Sequence, residues 1–527
     1  MVFCAVVSVF FSVTVFYHEH FSLLVGVATV ALLFILIARR SKPGIIAATL
    51  VILLAEVTIL VAADGIHKLD AFEGKACDGN FIVCENPVER GEYNTVVFEC
   101  VESPTLKKGT KIFVFYSDKK LRMSDCVSAK LQLHSLQDSK YKAMNYSERV
   151  YLSGNLKTAK VLMDEHDITL SVISRIQRYV SNTFFSNTPE KEAAVLTALV
   201  AGDGSYMPGE YNELLRAAGV SHAMVVSGMH LSIVMSFVLA LLQRVYYNRY
   251  IKALIAFCVT VFIMAVCGFG MSIIRAGITY FLVAAALLIG RDVDMVNLLS
   301  GAVVIVLLFD PFAALNVAFQ LSVLSTLGIL VAPVPGELLL ARFRIKSKIA
   351  AAVISSVCST LCALLLTLPV CIYYFGMLST VAVFANLLIS AAITVTLVVS
   401  IFALLIHLVS PPISKPFFFV TEWLIKYINS VVAFFGKLPH SSIQVTKTAL
   451  LPLVAFTLAL LQIGQMGGWQ QKNKNHRRWK NGAYKRRTTA AGNQNGRARA
   501  GLFNFWGRRL FKKELCGANI EENRRRG

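Results

Sequence analysis

Within residues 198–234, ALVAGDGSYMPGEYNELLRAAGVSHAMVVSGMHLSIV, a stretch with Asp203, Glu210, Glu213 and Arg216 passes without a linker into an apolar run. The entrance of that run carries Ser221, His222, Ser227, Gly228 and His230. Polar groups at such depth need hydrogen-bonding partners, a water-filled cavity or closely packed helices. His222 and His230 are eight residues apart, which on one continuous helix puts them on nearly the same face, two turns along. A metal pair and hydrogen-bonded structural histidines both fit that spacing. The second is favoured, because no carboxylate or cysteine stands beside them at ligand spacing. Neither a metal nor another cofactor is expected.

Further along, Arg275 stands in SIIRAG, Gln320 and Ser322 in FQLSVLSTLG, and Asn386 in VFANLLIS, each inside an apolar run. Taken singly, these are helix-to-helix hydrogen bonds and an arginine reaching lipid phosphate. Their recurrence in several runs points to a shared polar interior. Ser227, Gly228, His230, Arg275, Gln320 and Asn386 are the candidates for lining or supporting one polar passage between helices, with Asp203 and His222 beside them as further lining or supporting candidates. The competing account is that they only hold helices together.

A second candidate surface lies earlier in the chain. Lys107, Lys108 and Lys111, with Lys119, Lys120 and Arg122, flank a hairpin-like stretch holding Phe113, Phe115 and Tyr116. Charge beside stacking surfaces suits single-stranded nucleic acid, while a solvated hairpin with a buried aromatic face explains the same pattern. Catalytic patterns are scarce. His18-Glu19-His20 lacks the further histidine and aspartate of a binuclear hydrolase, and the DEHD of residues 164–167 has no partner at recognisable spacing. No phosphate-binding Walker loop and no G-x-S-x-G elbow occurs. The chain is expected not to be an enzyme.

Composition says what must position these residues. Of 527 residues, 56% are hydrophobic and 16% charged, the balance of a chain built for lipid rather than of a set of soluble domains. Apolar runs of roughly 20 residues, enough to cross about 30 Å of hydrocarbon, number about 12. The expected fold class is a polytopic α-helical membrane protein. Residues 1–63 hold a first membrane block, whose opening run lacks the basic start of a signal peptide. Residues 190–466 hold the second. Its weakest run is 417–435, where Glu422 and Lys426 make an interfacial helix the rival reading.

Between the blocks lies a domain over residues 64–189. The stretch 64–192 balances 18 basic with 18 acidic side chains, which leaves little net attraction for phosphates. Alternating runs at 95–101, 111–116 and 130–136 predict a small antiparallel β domain, with a helix over 168–180 leading back to the membrane. Basic clusters near 39–42, 244–252, 342–348 and beyond 472, placed in the cytoplasm, put both termini inside and the β domain outside. Cys77, Cys84, Cys100 and Cys126 lie in that domain; three disulfide pairings and free thiols all remain open. Residues 467–527 form a tail that from residue 472 onward carries 17 Lys/Arg against three Glu. It reads as disordered, with anionic lipid and nucleic acid as rival ligands.

The segment GVSHAMVVSGMHLSIV resembles the SGLHI-type signature of the ComEC/Rec2 competence family, the inner-membrane DNA-uptake channels of transformable bacteria. Three further stretches resemble that family in the same order. They are SIIRAGITYFLVAAALLIGRDVD for its arginine-alanine and glycine-arginine segment, LLFDPFAALNVAFQLSVLSTLGI for its aspartate-proline and glutamine-leucine-serine segment, and LPVCIYYFGMLSTVAVFANLLIS for its asparagine-leucine segment. The resemblance is strong over 190–408 and rests on arrangement alone before that. It implies a single-stranded DNA channel in the bacterial cytoplasmic membrane, with an OB-like outer domain handling the strand. The implied partners are single-stranded DNA, membrane lipids, a separate DNA receptor and a cytoplasmic helicase; a homo-oligomer stays open. Many members carry a metallo-β-lactamase-like domain with an H-x-H-x-D-H motif, which this sequence lacks, so a separate nuclease is expected.

Two other classes remain open: a small-molecule transporter, which inverted repeats would favour, and an integral-membrane enzyme acting on lipid or glycan. The second would need a convergent cluster for which only His222, His230 and Asp203 are available. Because the spans before it set the orientation, truncation after Gly468 is expected to leave membrane insertion unchanged. Membrane abundance and protease accessibility of the full and truncated chains check this.

Overall fold

The computed structural model describes residues 72–90, 93–117, 121–136, 142–163, 168–224, 228–245, 248–289, 294–343 and 347–445. The expected spans of 1–63, the run leading to 466, the basic tail, and Ser227, Lys119 and Lys120 lie outside them.

The domain that precedes the membrane block is a barrel. Its strands are β1 (Ala76–Val83), β2 (Val88–Arg90), β3 (Tyr93–Glu102), β4 (Lys111–Tyr116), β5 (Cys126–Ser135) and β6 (Val150–Met163), with α1 (Lys142–Ser147) between the last two. In β4 the side chains alternate as a half-buried strand must: Ile112, Val114 and Tyr116 point into the core, Lys111, Phe113 and Phe115 away from it. Tyr116 therefore belongs to the barrel interior and not to the aromatic surface expected of it. The sheet order is β1-β5-β6-β4-β3-β2, and β1 also pairs with β3, which closes five strands into a ring. All pairs are antiparallel except β4 with β6. Closure removes the exposed edges that an open sheet would present. Phe81 and Phe98 stack inside at 5.9 Å, among Ile112, Val114, Val127, Leu131 and Leu133.

All four barrel cysteines are free thiols. Cys84 donates to Glu99 Oε2 at 3.5 Å. Burial, with the Glu99 charge adding to it, pushes the Cys84 thiol up to about 12. The thiolate needed for disulfide exchange is thus not formed there at neutral pH.

After the barrel, α2 (Ile168–Asn187) runs past the end expected for it. Then come α3 (Glu190–Ala201), α4 (Gly209–Ala217) and the single turn α5 (Ser221–Met224). The membrane block continues with α6 (Gly228–Val245), α7 (Arg249–Val266), α8 (Met271–Ile289) and α9 (Met295–Phe309). A 3-10 turn, Pro311–Leu315, leads to α10 (Val317–Val331), α11 (Pro333–Arg342), α12 (Lys348–Phe375), α13 (Ala382–Val409) and α14 (Pro411–Gly436). Four stretches, 317–342, 348–375, 382–409 and 411–436, are long and apolar enough to cross a membrane. Four shorter apolar helices cover 228–242, 250–266, 271–286 and 295–309. The expected total of about 12 spans also counts runs outside the described residues.

The doubtful run 417–435 lies wholly within α14. Glu422 and Lys426 pair one turn apart on that helix, while Phe418, Thr421, Ile425, Ile428 and Val432 face inward. Phe418, Ile425, Ile428 and Val432 join Phe184, Leu196, Leu199, Ile389 and Ile393 in the largest apolar core of the block.

Close helix contact depends on particular glycines. A Cβ at Gly328 on α10 would stand 2.7 Å from Cys362 O and from Ala363 Cα on α12, and backbone atoms cannot swing aside. Gly328→Ala is expected to lower stability by about 1–3 kcal/mol, the usual cost of overpacking, seen as a lower melting temperature of the detergent-solubilised protein.

Candidate functional site

Arg275 is one turn into α8 and only 6% exposed. Its Nε donates to Ser322 Oγ on α10 at 3.0 Å, and Ser272 Oγ donates to the same oxygen at 2.9 Å. Gly228, the first residue of α6, closes the group: a Cβ there would lie 2.9 Å from Arg275 Nη2 and 3.1 Å from Ala276 Cβ. The structure thus brings Gly228 and Arg275 together around Ser322, with His230 buried two residues further along α6.

The other candidates go elsewhere. Gln320 turns back to donate to Ala314 O at 2.7 Å, next to the Tyr374 hydroxyl that reaches Leu315 O, so it braces the 3-10 turn. Asn386 is half-buried near the start of α13, a helix that packs on α12 and α14 and touches α6. His222 and His230 do not share the face expected from their spacing. They belong to two helices, α5 and α6, and His222 is exposed where His230 is buried. Among the described residues no group of three or more His, Cys, Asp and Glu is placed to hold a metal ion.

Asp203 belongs to a different structure, the seam between barrel and membrane block. Its Oδ2 accepts from Asn86 Nδ2, in the loop after β1, at 2.8 Å, and its Oδ1 from the amide and hydroxyl of Ser205 at 3.0 and 2.6 Å. A second tie joins Arg149, just before β6, to the end of α9. Its Nε lies 3.4 Å from Asp310 Oδ2, and its Nη2 donates to Phe309 O at 3.3 Å. A third runs from Asn316 Nδ2 to Ser147 Oγ at 3.2 Å. Between these ties Phe312 and Leu315 pack among Val97, Leu136, Tyr146 and Val150 of the barrel, with the Tyr151 and Phe312 rings edge to face at 6.2 Å. Asp310 also accepts from the Phe312 amide and so starts the turn that carries Phe312 and Leu315, the apolar plug set into the barrel. Burial raises its carboxyl while Arg149 acts against that shift.

On the barrel, Lys107 and Lys108 are exposed in the β3–β4 turn, which Gly109 closes with φ +86. Lys111 stands opposite Glu99 on the neighbouring strand. Arg122 is exposed. Phe113 and Phe115 meet edge to face at 5.2 Å, and Phe115 meets Tyr93 at 5.7 Å. Tyr93, 45% exposed, completes a row that the sequence reading missed, because strand pairing alone sets it beside β4. The row ends at Phe113, against the plug.

A family model described as Competence protein matches residues 199–470. ComE operon protein 3 of Bacillus subtilis (strain 168) is 20% identical over 322 residues, covering 61% of this chain and 40% of that protein. The chain therefore spans less than half the length of that relative. No solved structure matches.

Asp310→Ala removes both an ion-pair partner and the cap of the plug-bearing turn. It is expected to weaken the seam by about 1–2 kcal/mol. Hydrogen exchange should then quicken over residues 142–150 and 309–316 while β1 and β5 keep their protection.

Proposed function

The chain belongs to the Competence protein family, and on that premise we propose that it conducts single-stranded DNA across the bacterial cytoplasmic membrane during natural transformation. The observation that carries this reading is the aromatic row Tyr93, Phe115 and Phe113, which leads along the barrel to the seam with the membrane helices. The ring order β1-β3-β4-β6-β5, with its one parallel pair, supports an OB-like barrel. Such barrels hold oligonucleotides on the face of their second and third strands and on the neighbouring loops. Here the corresponding strands are β3 and β4, and the corresponding loops hold Asn86, Ser147 and Arg149, the residues that tie the barrel down. A strand held on this face is delivered to the membrane block.

Within the block, α6, α8, α9 and α10 carry no Asp or Glu, which suits passage of a polyanion. Arg244, Lys252, Arg342 and Lys348 stand at helix ends on the other side of the succession from Phe309, where the barrel sits. By the positive-inside rule that supports a barrel outside and a multi-pass chain with both ends in the cytoplasm. In this reading the chain acts as a passage, and a DNA receptor, a cytoplasmic helicase and a nuclease activity are what it works with.

Deleting the gene in a transformable host is expected to abolish entry of labelled single strands into the cytoplasm; unchanged entry refutes the reading. The barrel's part is tested by Tyr93→Ala with Phe115→Ala in the full chain. Each stacked base contributes about 1–3 kcal/mol, so binding of oligothymidylate should fall by roughly tenfold or more. Undiminished binding by the folded double variant removes the row as the DNA face.

A further inference from the structure

We propose that the guanidinium of Arg275 and the hydroxyl of Ser322 form a binding site for one phosphodiester group of the translocated strand. This rests on the DNA-passage reading and adds the atoms that would hold the phosphate inside the membrane block.

The inference comes from counting donors. A guanidinium has five N–H donors in a planar fork. Among the described residues, Nε is the only one of its nitrogens that makes a hydrogen bond, to Ser322 Oγ, which leaves the four Nη hydrogens to be satisfied. Ser322 Oγ accepts from Arg275 Nε and from Ser272 Oγ. Both of its lone pairs are then used, and its own proton is left to donate. Among the described residues, two helices thus converge with donors to spare beyond the one acceptor oxygen that Ser322 supplies. No carboxylate on α6, α8, α9 or α10 is available to neutralise the cation. An arginine only 6% exposed, with no facing carboxylate on these helices and its Nη donors not taken up by protein acceptors among the described residues, is a cation suited to receive an anion.

The geometry favours a phosphodiester. Its two free oxygens match the paired Nη donors of a guanidinium, which a point-charge ammonium cannot do. Glycine at position 228 lets α6 pass close to Nη2 with no side chain against it, since a Cβ there would approach to 2.9 Å. Lipid headgroups offer the same chemistry, but Arg275 is enclosed by α6, α8 and α10 rather than reaching out to lipid. A single such group also suits conduction, where each site must hold its ion weakly enough to release it.

The test uses the full chain in nanodiscs, with hydrogen exchange followed over residues 228–232 and 271–279. Oligothymidylate is expected to protect both segments, and its uncharged methylphosphonate analogue to protect neither. In Arg275→Gln this protection should vanish while that of β3 persists. Arg275→Lys, which keeps the charge and loses the fork, should bring strand entry in cells down roughly tenfold. Ser322→Ala, a smaller change, should show the same local loss and decides the matter if Arg275→Gln fails to fold. Protection by oligothymidylate that survives in folded Arg275→Gln overturns the proposal. So does protection that follows phosphatidylglycerol content in place of the oligonucleotide. If gene deletion abolishes DNA entry while Arg275→Gln and Ser322→Ala enter strands normally, this inference falls and the DNA-passage reading stands; if deletion has no effect, the reading itself falls.

Discussion

In a low-dielectric slab every buried hydroxyl or amide must find its partner within the protein, and most polar side chains of the membrane block do so on their own helix. Thr260 donates to Ala256 O, Thr279 to Arg275 O, Thr326 to Ser322 O, Thr367 to Ala363 O and Thr396 to Ala392 O, each one turn back. These groups are satisfied locally and ask nothing of their neighbours. Arg275, Ser272 and Ser322 break the pattern: their bonds run between α8 and α10, and their donors exceed their acceptors. That imbalance sets these three groups apart from the threonines, whose bonds close within one turn of their own helix.

The same economy governs the seam. Asp310 ends α9, starts the 3-10 turn and meets Arg149 of the barrel. One carboxylate thereby couples the direction of a membrane helix to the position of the domain above it. Phe312, carried by that turn, fills the apolar gap between the ties. Asp203 and Asn316 add bonds at two more points, and three separated ties restrain rotation as well as displacement. The aromatic row on β3 and β4 consequently keeps one orientation toward the helices.

Much of the architecture was legible from residues alone. Apolar length announced the membrane helices, and period-two alternation announced β3, β4 and β5. The barrel's β1, ACDGNFIV, and the long β6 were not read, because Gly, Asn and Lys interrupt their alternation and ring closure, not local pattern, holds them extended. The grouping of Gly228 with Arg275 was anticipated from polarity in apolar surroundings. The histidine pair was misplaced because its spacing was projected onto a single continuous helix.

The sequence by itself determined the membrane class, the division into a neutral polar domain and apolar blocks, and the identity of the unusual polar residues, since each of these follows from composition and short-range periodicity. Only the tertiary structure decided what those residues do. Asp203 ties down the barrel, Gln320 braces a turn, Lys111 stands opposite Glu99 across a strand pair, and Tyr93 meets Phe115 across the same pair. The reason is physical: a side chain's role is set by the group it meets. Here the partner is often more than a hundred residues away, as with Asn86 and Asp203 or Arg149 and Asp310, beyond the reach of any local rule.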